Sequence, residues 1–291
     1  LVRSRGLGDV YKRQMLLGAQ RLFGASVERS LPRLLEDSRK WQATVSDRLA
    51  EQVFDAATLL LDGFEAASVR DGSTLLAEAL ESGGEHVHRG ILTTLLRIVF
   101  LLYAEDSGLM PMRSVAYREG LSVGVLHEQL RADAGAYPDS MGGRFGAWSR
   151  LLSVFRAVFL GVEHGDLALP ARRGALFDPH RFPFLEGWGP AGGAPVVDAD
   201  ARASVRVPTV SDETVLAVLE RLVMLDGQRI SYRSLDVEQI GSVYESMLGY
   251  TVERLASDAV RLRGGRRWVR VDEALAVSYT HLRAHETVLD L

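Results

Sequence analysis

The chain has 291 residues, 47% hydrophobic and 25% charged, a composition that excludes a disordered tail and fits one large domain or two ordinary ones. The formal net charge of −4 excludes a wholly basic nucleic-acid binder but leaves room for local basic patches. Without cysteine, a secretory signal or an uncharged apolar run of about 18 residues, the sequence predicts a soluble cytoplasmic protein with no membrane partner.

The two ends of the chain are expected to be non-native. The stretch SRGLGDVYKRQ (residues 4–14) can be written in codons whose opposite strand, read in another frame, spells the VSYTHLRAHE that follows Ala276. This nucleotide string resembles a sequencing-library adapter, so residues 1–14 and 277–291 are set aside as adapter-derived tails. His281 and His285 have the spacing of a zinc site on a helix, but as tail residues they are not candidate ligands.

Helical spacing of apolar residues predicts a helical domain over residues 15–165. Its first helices fall between Ser26 and Ala67, with Ser46 as an N-cap and Gly63 near a helix end. Further helices are predicted within residues 71–84, over residues 86–107, and over residues 121–135 and 146–162, the last two separated by a loop. The helix over residues 86–107 has a wide apolar face and is expected to be the central buried helix.

The C-terminal part of the native region differs in composition and periodicity. Residues 166–210 are rich in Pro and Gly with little periodicity, which predicts an irregular connector. Residues 211–250 predict a helix pair, capped by Ser211 or Asp212, and residues 251–276 begin with a β-hairpin around Gly264 and Gly265. The predicted fold class is therefore mainly α: a multi-helix domain with an irregular Pro/Gly-rich connector and a short C-terminal β-hairpin.

Two carboxylates, Glu105 and Asp106, close the predicted central helix, where they oppose the helix macrodipole. Three interpretations stay open: an acid/base pair, an ion-pair clamp, and a solvated helix end. For the clamp, the candidate partners are Arg97, Arg113 and Arg118.

Three arginines of the connector, Arg172, Arg173 and Arg181, are candidate contacts to a DNA backbone because guanidinium groups bind phosphate oxygens. The alternative is that they pair with Asp178 and Glu186. The neighbouring aromatic residues could stack on bases or pin the loop to the core: Phe182, Phe184 and Trp188.

Other candidates carry weaker signals. The predicted hairpin also carries arginines that could lie along a nucleic-acid backbone or on a solvated strand face: Arg261, Arg263, Arg266, Arg267 and Arg270. The histidines are scattered without ligand spacing, so no metal site is expected: His86, His88, His127, His164 and His180. The sequence contains neither a phosphate-binding G-x-x-x-x-G-K-[ST] loop nor a G-x-S-x-G motif, and it assigns no catalytic, cofactor-binding or metal-binding residue.

Three stretches in order resemble one family: LLRIVFLLYAEDSGLMP (residues 95–111), PARRGALFDPHRFPFLEG (170–187) and ISYRSLDVEQIGSVYESMLGY (230–250). They are similar to the region upstream of the catalytic domain in Eco57I-like type IIG restriction-modification enzymes, which are adenine-specific DNA methyltransferases, and in their phage-exclusion relatives. In that family a glycine-rich S-adenosylmethionine loop and an Asn-Pro-Pro-aromatic motif follow.

Neither motif is present in this chain, which contains no asparagine and no Pro-Pro pair. The resemblance therefore implies a catalytically inert helical connector of a bacterial site-specific methyltransferase, with S-adenosylmethionine bound by another part of the parent protein and DNA as its partner. A possible endonuclease activity of the parent is left open. The alternative is a stand-alone helical protein-interaction module without a nucleic-acid role.

Overall fold

The computed structural model describes residues 31–72, 75–81, 83–187, 207–225 and 227–234, with Gly241, Glu245, Val252 and two short strands further along. Both predicted tails lie outside these residues. So does the second helix of the predicted pair, apart from Gly241 and Glu245, which are helical.

The predicted mainly α fold class is confirmed, since 69% of the described residues are helical. The α-helices are α1 (Leu31–Asp71), α2 (Leu75–Glu81), α3 (Gly84–Asp106), α4 (Val115–Gly120), α5 (Val123–Ala136), α6 (Gly146–Leu160), α7 (Pro183–Glu186) and α8 (Asp212–Val223). Two 3₁₀ helices are Pro138–Gly143 and Tyr232–Ser234. The strands form antiparallel pairs: β1 (Val162–His164) with β2 (Leu167–Leu169), β3 (Met224–Leu225) with β4 (Gln228–Arg229), and β5 (Ala259–Arg261) with β6 (Trp268–Arg270).

Helix α3 is the central helix, as its sequence predicts. Its apolar face is buried in one core shared with α1, α5, α6 and α8, and includes Ile91, Leu95, Ile98 and Leu102. In the described part of the chain, α3 is long and apolar enough to cross a membrane by length and composition, but 78% of its most apolar window is buried. That degree of burial is what a core helix shows.

Helix α1 corrects one prediction. It runs without interruption from Leu31 to Asp71, so Ser46 is not an N-cap and Gly63 does not end a helix. Gly63 lies where α8 crosses α1, and a β-carbon at this position would come within 2.4 Å of the Thr214 side chain. The glycine therefore permits a close helix crossing instead of breaking the helix.

Serine residues begin three of the helices. Ser114, Ser122 and Ser211 have extended backbones, and each side chain accepts a hydrogen bond from the N–H three residues later, at the starts of α4, α5 and α8. Of the two cap candidates for α8, the cap is Ser211. The sequence did not predict α4, because six residues are too few to show a helical period.

The end of α1 binds the segment that leads into α8. The Asp71 carboxylate accepts the Thr209 hydroxyl at 2.7 Å and the Thr209 N–H at 3.1 Å. From the other side, Arg70 Nη1 donates to the Thr209 carbonyl at 2.6 Å. Helix α8 then packs mainly along α1 and also touches α5 and α6.

The connector is more ordered at its start than the sequence predicts. Strand β2 and helix α7 lie within the predicted irregular region, and a Gly165 turn with φ +59° joins β1 to β2. The predicted C-terminal hairpin is confirmed by the β5–β6 pair, in which Ala259 faces Arg270 and Val260 faces Val269.

Candidate nucleic-acid interface

The chain that follows the β1–β2 hairpin returns to the end of α6. The last carbonyls of a helix have no partner within it. Arg172 N–H donates to the Val158 carbonyl at 3.0 Å, and Arg173 N–H donates to the Phe159 carbonyl at 3.2 Å. The two arginines are therefore fixed by their backbone at the C-terminal end of α6, while their side chains take no part in this anchoring.

Arg181 follows His180, which lies near the same end of α6. The ring of its neighbour His180 lies 6.5 Å from the ring of Phe159, the residue whose carbonyl holds Arg173. The Arg181 guanidinium lies 5.5 Å from the centre of the Phe182 ring. Arg172 and Arg173, which lie at the end of α6, and Arg181, at the other end of the loop that follows them, are here called the arginine cluster.

All three side chains of the arginine cluster are exposed. Within the described ranges, none of them forms an ion pair, and the predicted alternative partners are engaged elsewhere. The carboxylate of Asp178 accepts the His180 N–H at 2.9 Å, while that of Glu186 is bound by Arg156. The cluster is thus a local excess of positive charge on a chain of net charge −4.

The aromatic residues around the cluster face the core. Phe177, Phe182 and Phe184 are all buried. Phe184 packs against Phe64 with ring centres 5.9 Å apart, and Phe182 packs against His86 at 5.2 Å. These rings pin the loop to the helices and are not available for stacking on bases, whereas Trp188 lies outside the described residues.

Arg97 lies beneath this loop and not beside Glu105 or Asp106, so it is not their ion-pair partner. Its guanidinium is 1% exposed, donates to the carbonyls of Leu176 at 2.6 Å and Asp178 at 2.9 Å, and lies 5.3 Å from the centre of the Phe155 ring. Burial lowers the pKa of Arg97 to about 10, against the opposing effect of the nearby acids.

Glu186, the last residue of α7, is also buried, with 1% exposure. Its Oε2 accepts hydrogen bonds from Nε of Arg156 at 2.8 Å and from Nη2 of the same residue. Its Oε1 has no hydrogen-bond partner in the described part of the chain. Burial raises the pKa of Glu186, although Arg156 and Arg97 act in the opposite direction. No sequence signal connects Glu186 with Arg156, because the two are 30 residues apart.

Glu105 caps a helix other than its own. Its carboxylate accepts hydrogen bonds from the Val123 and Gly124 N–H groups, which begin α5, at 2.9 and 3.0 Å. The hydroxyls of Tyr117 and Ser122 each add a bond of 3.0 Å. Burial raises the pKa of Glu105, against these four hydrogen bonds. Burial, together with the nearby Glu105 charge, also raises the pKa of Tyr117. The interpretation as a solvated helix end is therefore wrong.

Asp106 holds a different segment. Its carboxylate accepts the Tyr232 N–H at 3.0 Å, and the Tyr232 hydroxyl donates to the Leu222 carbonyl of α8 at 2.7 Å. Arg118, one of the proposed clamp partners, lies beside Glu119 at 3.3 Å instead. The two carboxylates at the end of α3 therefore serve as anchors for two neighbouring segments.

A nucleotide-containing cofactor is commonly held where a strand leads through a glycine-rich turn into a helix. The described strands form short antiparallel pairs. The same ranges contain no group of three or more His, Asp or Glu side chains that could hold a metal ion. The side chains of the hairpin arginines lie outside the described residues.

Comparisons of the chain with protein-family models, with curated proteins and with solved structures find no match.

Proposed function

We propose that the chain is a helical connector of a bacterial adenine-specific DNA methyltransferase or restriction-modification protein, and that its arginine cluster contacts DNA phosphates. The observation that supports this proposal is the cluster itself: three exposed arginines on one loop, two of them at the end of α6, with no carboxylate partner in the described residues. Arginine presents a planar fork of donors that matches phosphate oxygens. The family in this proposal comes from the resemblance of the three stretches of sequence described above.

The same cluster can also be explained without any ligand. The C-terminal end of a helix carries partial negative charge, and cations near it stabilise the helix by about 0.3–1 kcal/mol. Helix stabilisation alone would therefore account for arginines at the end of α6. Binding measurements separate the two explanations, because only a phosphate contact releases counterions from DNA.

The first test measures the affinity of the full chain for a fluorescently labelled DNA duplex by anisotropy over a series of salt concentrations. Each phosphate contact contributes about 0.9 to the slope of log K against log salt. The double variant Arg172→Gln, Arg173→Gln should therefore flatten this slope by about 1.8 and weaken binding at low salt.

The matched control is Arg113→Gln, Arg221→Gln, which removes the same charge from two exposed arginines outside the cluster, also without an ion pair in the described residues. This control should keep the wild-type slope. If both double variants flatten the salt slope equally, the effect comes from net charge and not from the arginine cluster. No binding of the wild-type chain at low salt would favour the protein-interaction module.

The parent enzyme is tested separately by extending the coding sequence beyond Ala276. We expect a methyl-donor loop and an Asn-Pro-Pro-aromatic motif within a few hundred codons, and S-adenosylmethionine would bind there. If the native reading frame continues without either motif, the methyltransferase part of the proposal fails, whatever the DNA-binding result.

A further inference from the structure

Arg97 is a buried cation whose direct partners are neutral. It lies on the central helix α3, its guanidinium donates to two main-chain carbonyls, and no carboxylate in the described residues lies within ion-pair distance. Removing a charged group from water is costly, and a well-packed apolar residue often serves stability as well. The contacts that Arg97 makes therefore point to a role beyond packing.

Both hydrogen bonds of Arg97 go to the loop that carries the arginine cluster. The Leu176 and Asp178 carbonyls lie between Arg173 and Arg181 in the chain, in a segment without regular secondary structure. The loop is held at Arg172 and Arg173 by the end of α6 and at Phe182 by the core. Arg97 and the buried Phe177 ring hold the stretch between these two anchors, and the contact of Arg97 with Phe155 joins that stretch to α6.

We infer that Arg97 is a positioning residue for the arginine cluster: it fixes the loop between Arg173 and Arg181 so that the exposed arginines keep their places at the two ends of this loop. The effect of Arg97 on DNA binding rests on the proposed function. The effect of Arg97 on the order of the loop does not depend on that function and can be measured without DNA. A loop fixed before binding loses less conformational entropy when it meets a ligand, which increases affinity.

The test compares amide hydrogen exchange, measured by mass spectrometry on the full chain, between wild type and Arg97→Met. Methionine fills a similar volume without donors. Exchange over residues 172–182 should rise by about tenfold or more, while the amides of α6 keep their wild-type rates. Arg97→Lys, which retains the charge and can reach one carbonyl, should give an intermediate rate, and it decides the question if the methionine variant does not fold.

The control variant is Thr94→Val, one turn earlier on α3. Thr94 is fully buried and its hydroxyl bonds only to the Gly90 carbonyl of its own helix, among the bonds the structure shows. This change should not raise loop exchange selectively. Loop exchange that is unchanged in Arg97→Met, or raised equally in Thr94→Val, would overturn the inference.

DNA affinity gives the second measurement. Arg97→Met should weaken duplex binding although the arginine cluster is intact, and Arg97→Lys should recover part of the loss. Weaker binding without faster loop exchange would mean that Arg97 acts through its charge, and the positioning role would be wrong. A loosened loop in a chain whose wild type binds no DNA would refute the proposed function while supporting the positioning role.

Discussion

Glu105 shows how a residue that is unfavourable for its own helix can stabilise the next one. At the C-terminal end of α3 its charge opposes the helix macrodipole. The same carboxylate lies at the N-terminal end of α5, where it satisfies two N–H groups that have no partner within that helix. The Glu105 side chain therefore supplies two hydrogen bonds that α5 lacks, and these offset its unfavourable position in α3.

Replacing Glu105 by alanine should therefore destabilise the protein strongly. Two backbone N–H groups and the hydroxyls of Tyr117 and Ser122 would lose their acceptor in a mostly buried place. We expect a loss of about 2–4 kcal/mol in the free energy of unfolding, measured by urea denaturation.

The control is Glu119→Ala, which removes an exposed carboxylate whose contact is a surface pair with Arg118. This variant should lie within about 0.5 kcal/mol of wild type. Similar losses in the two variants would show that the capping role of Glu105 is wrong.

The partners of Glu105 could not be predicted from sequence because the donors lie 12 to 19 residues further along the chain. The turn through Gly108 and the helix α4 bring them back to the end of α3. The macrodipole of α3 marks Glu105 as unusual at the end of that helix, but it carries no information about α5. A serine N-cap at Ser122 next to an apolar helix start was the one available sign of α5's beginning.

At the scale of elements, glycines set how closely the helices and the loop approach each other. Gly90 on α3 faces the Phe184 ring, and a β-carbon there would lie 2.7 Å from two ring carbons and 3.2 Å from the Phe182 ring. The absent side chain is therefore the space into which the connector's aromatic residues pack.

Gly90→Ala should destabilise the protein by about 1–3 kcal/mol, even though alanine favours helix formation, because Phe184 must move. Thermal unfolding followed by circular dichroism measures this. Gly135→Ala is the matched control, since a β-carbon at Gly135 in α5 meets no atom within 4 Å. It should be neutral or stabilising by up to about 1 kcal/mol; a stabilised Gly90→Ala protein would contradict the close packing.

Helical periodicity predicted the helices α3, α5, α6 and α8 well because each has one face in the core. It failed at Ser46 and Gly63, since serine and glycine favour helix ends only when tertiary packing does not decide otherwise. At Gly63 the deciding contact is Thr214, about 150 residues away in sequence, which no local pattern contains. The arginine cluster was named from sequence, whereas the partners of its loop, Arg97 above all, required the structure.

At the scale of the whole molecule, two buried carboxylates link stability to pH. The pKa values of Glu105 and Glu186 are both raised by burial, so the folded protein holds these protons more tightly than the unfolded chain. Their contribution to stability is complete below the ordinary carboxyl pKa of 4.5 and is lost as pH rises through the raised values.

Glu186→Gln should remove part of this pH dependence. Glutamine keeps an oxygen that can accept from Arg156 but carries no titrating proton. Urea unfolding at constant ionic strength, from pH 4.5 upward, should show a smaller fall in stability with pH for this variant than for wild type. A Glu186→Gln profile parallel to wild type would contradict the linkage.

The bonds between the end of α1 and Thr209 have a consequence for chain continuity. Asp71 and Arg70 hold the segment before α8, and α8 lies in the same core as α1, α5 and α6. Hydrogen bonds and core packing therefore hold α8 against the other helices, in addition to the chain connection. A single proteolytic nick between residues 187 and 207 would leave two fragments that complement each other across the α1–α8 contact, and α8 would remain docked without a continuous chain.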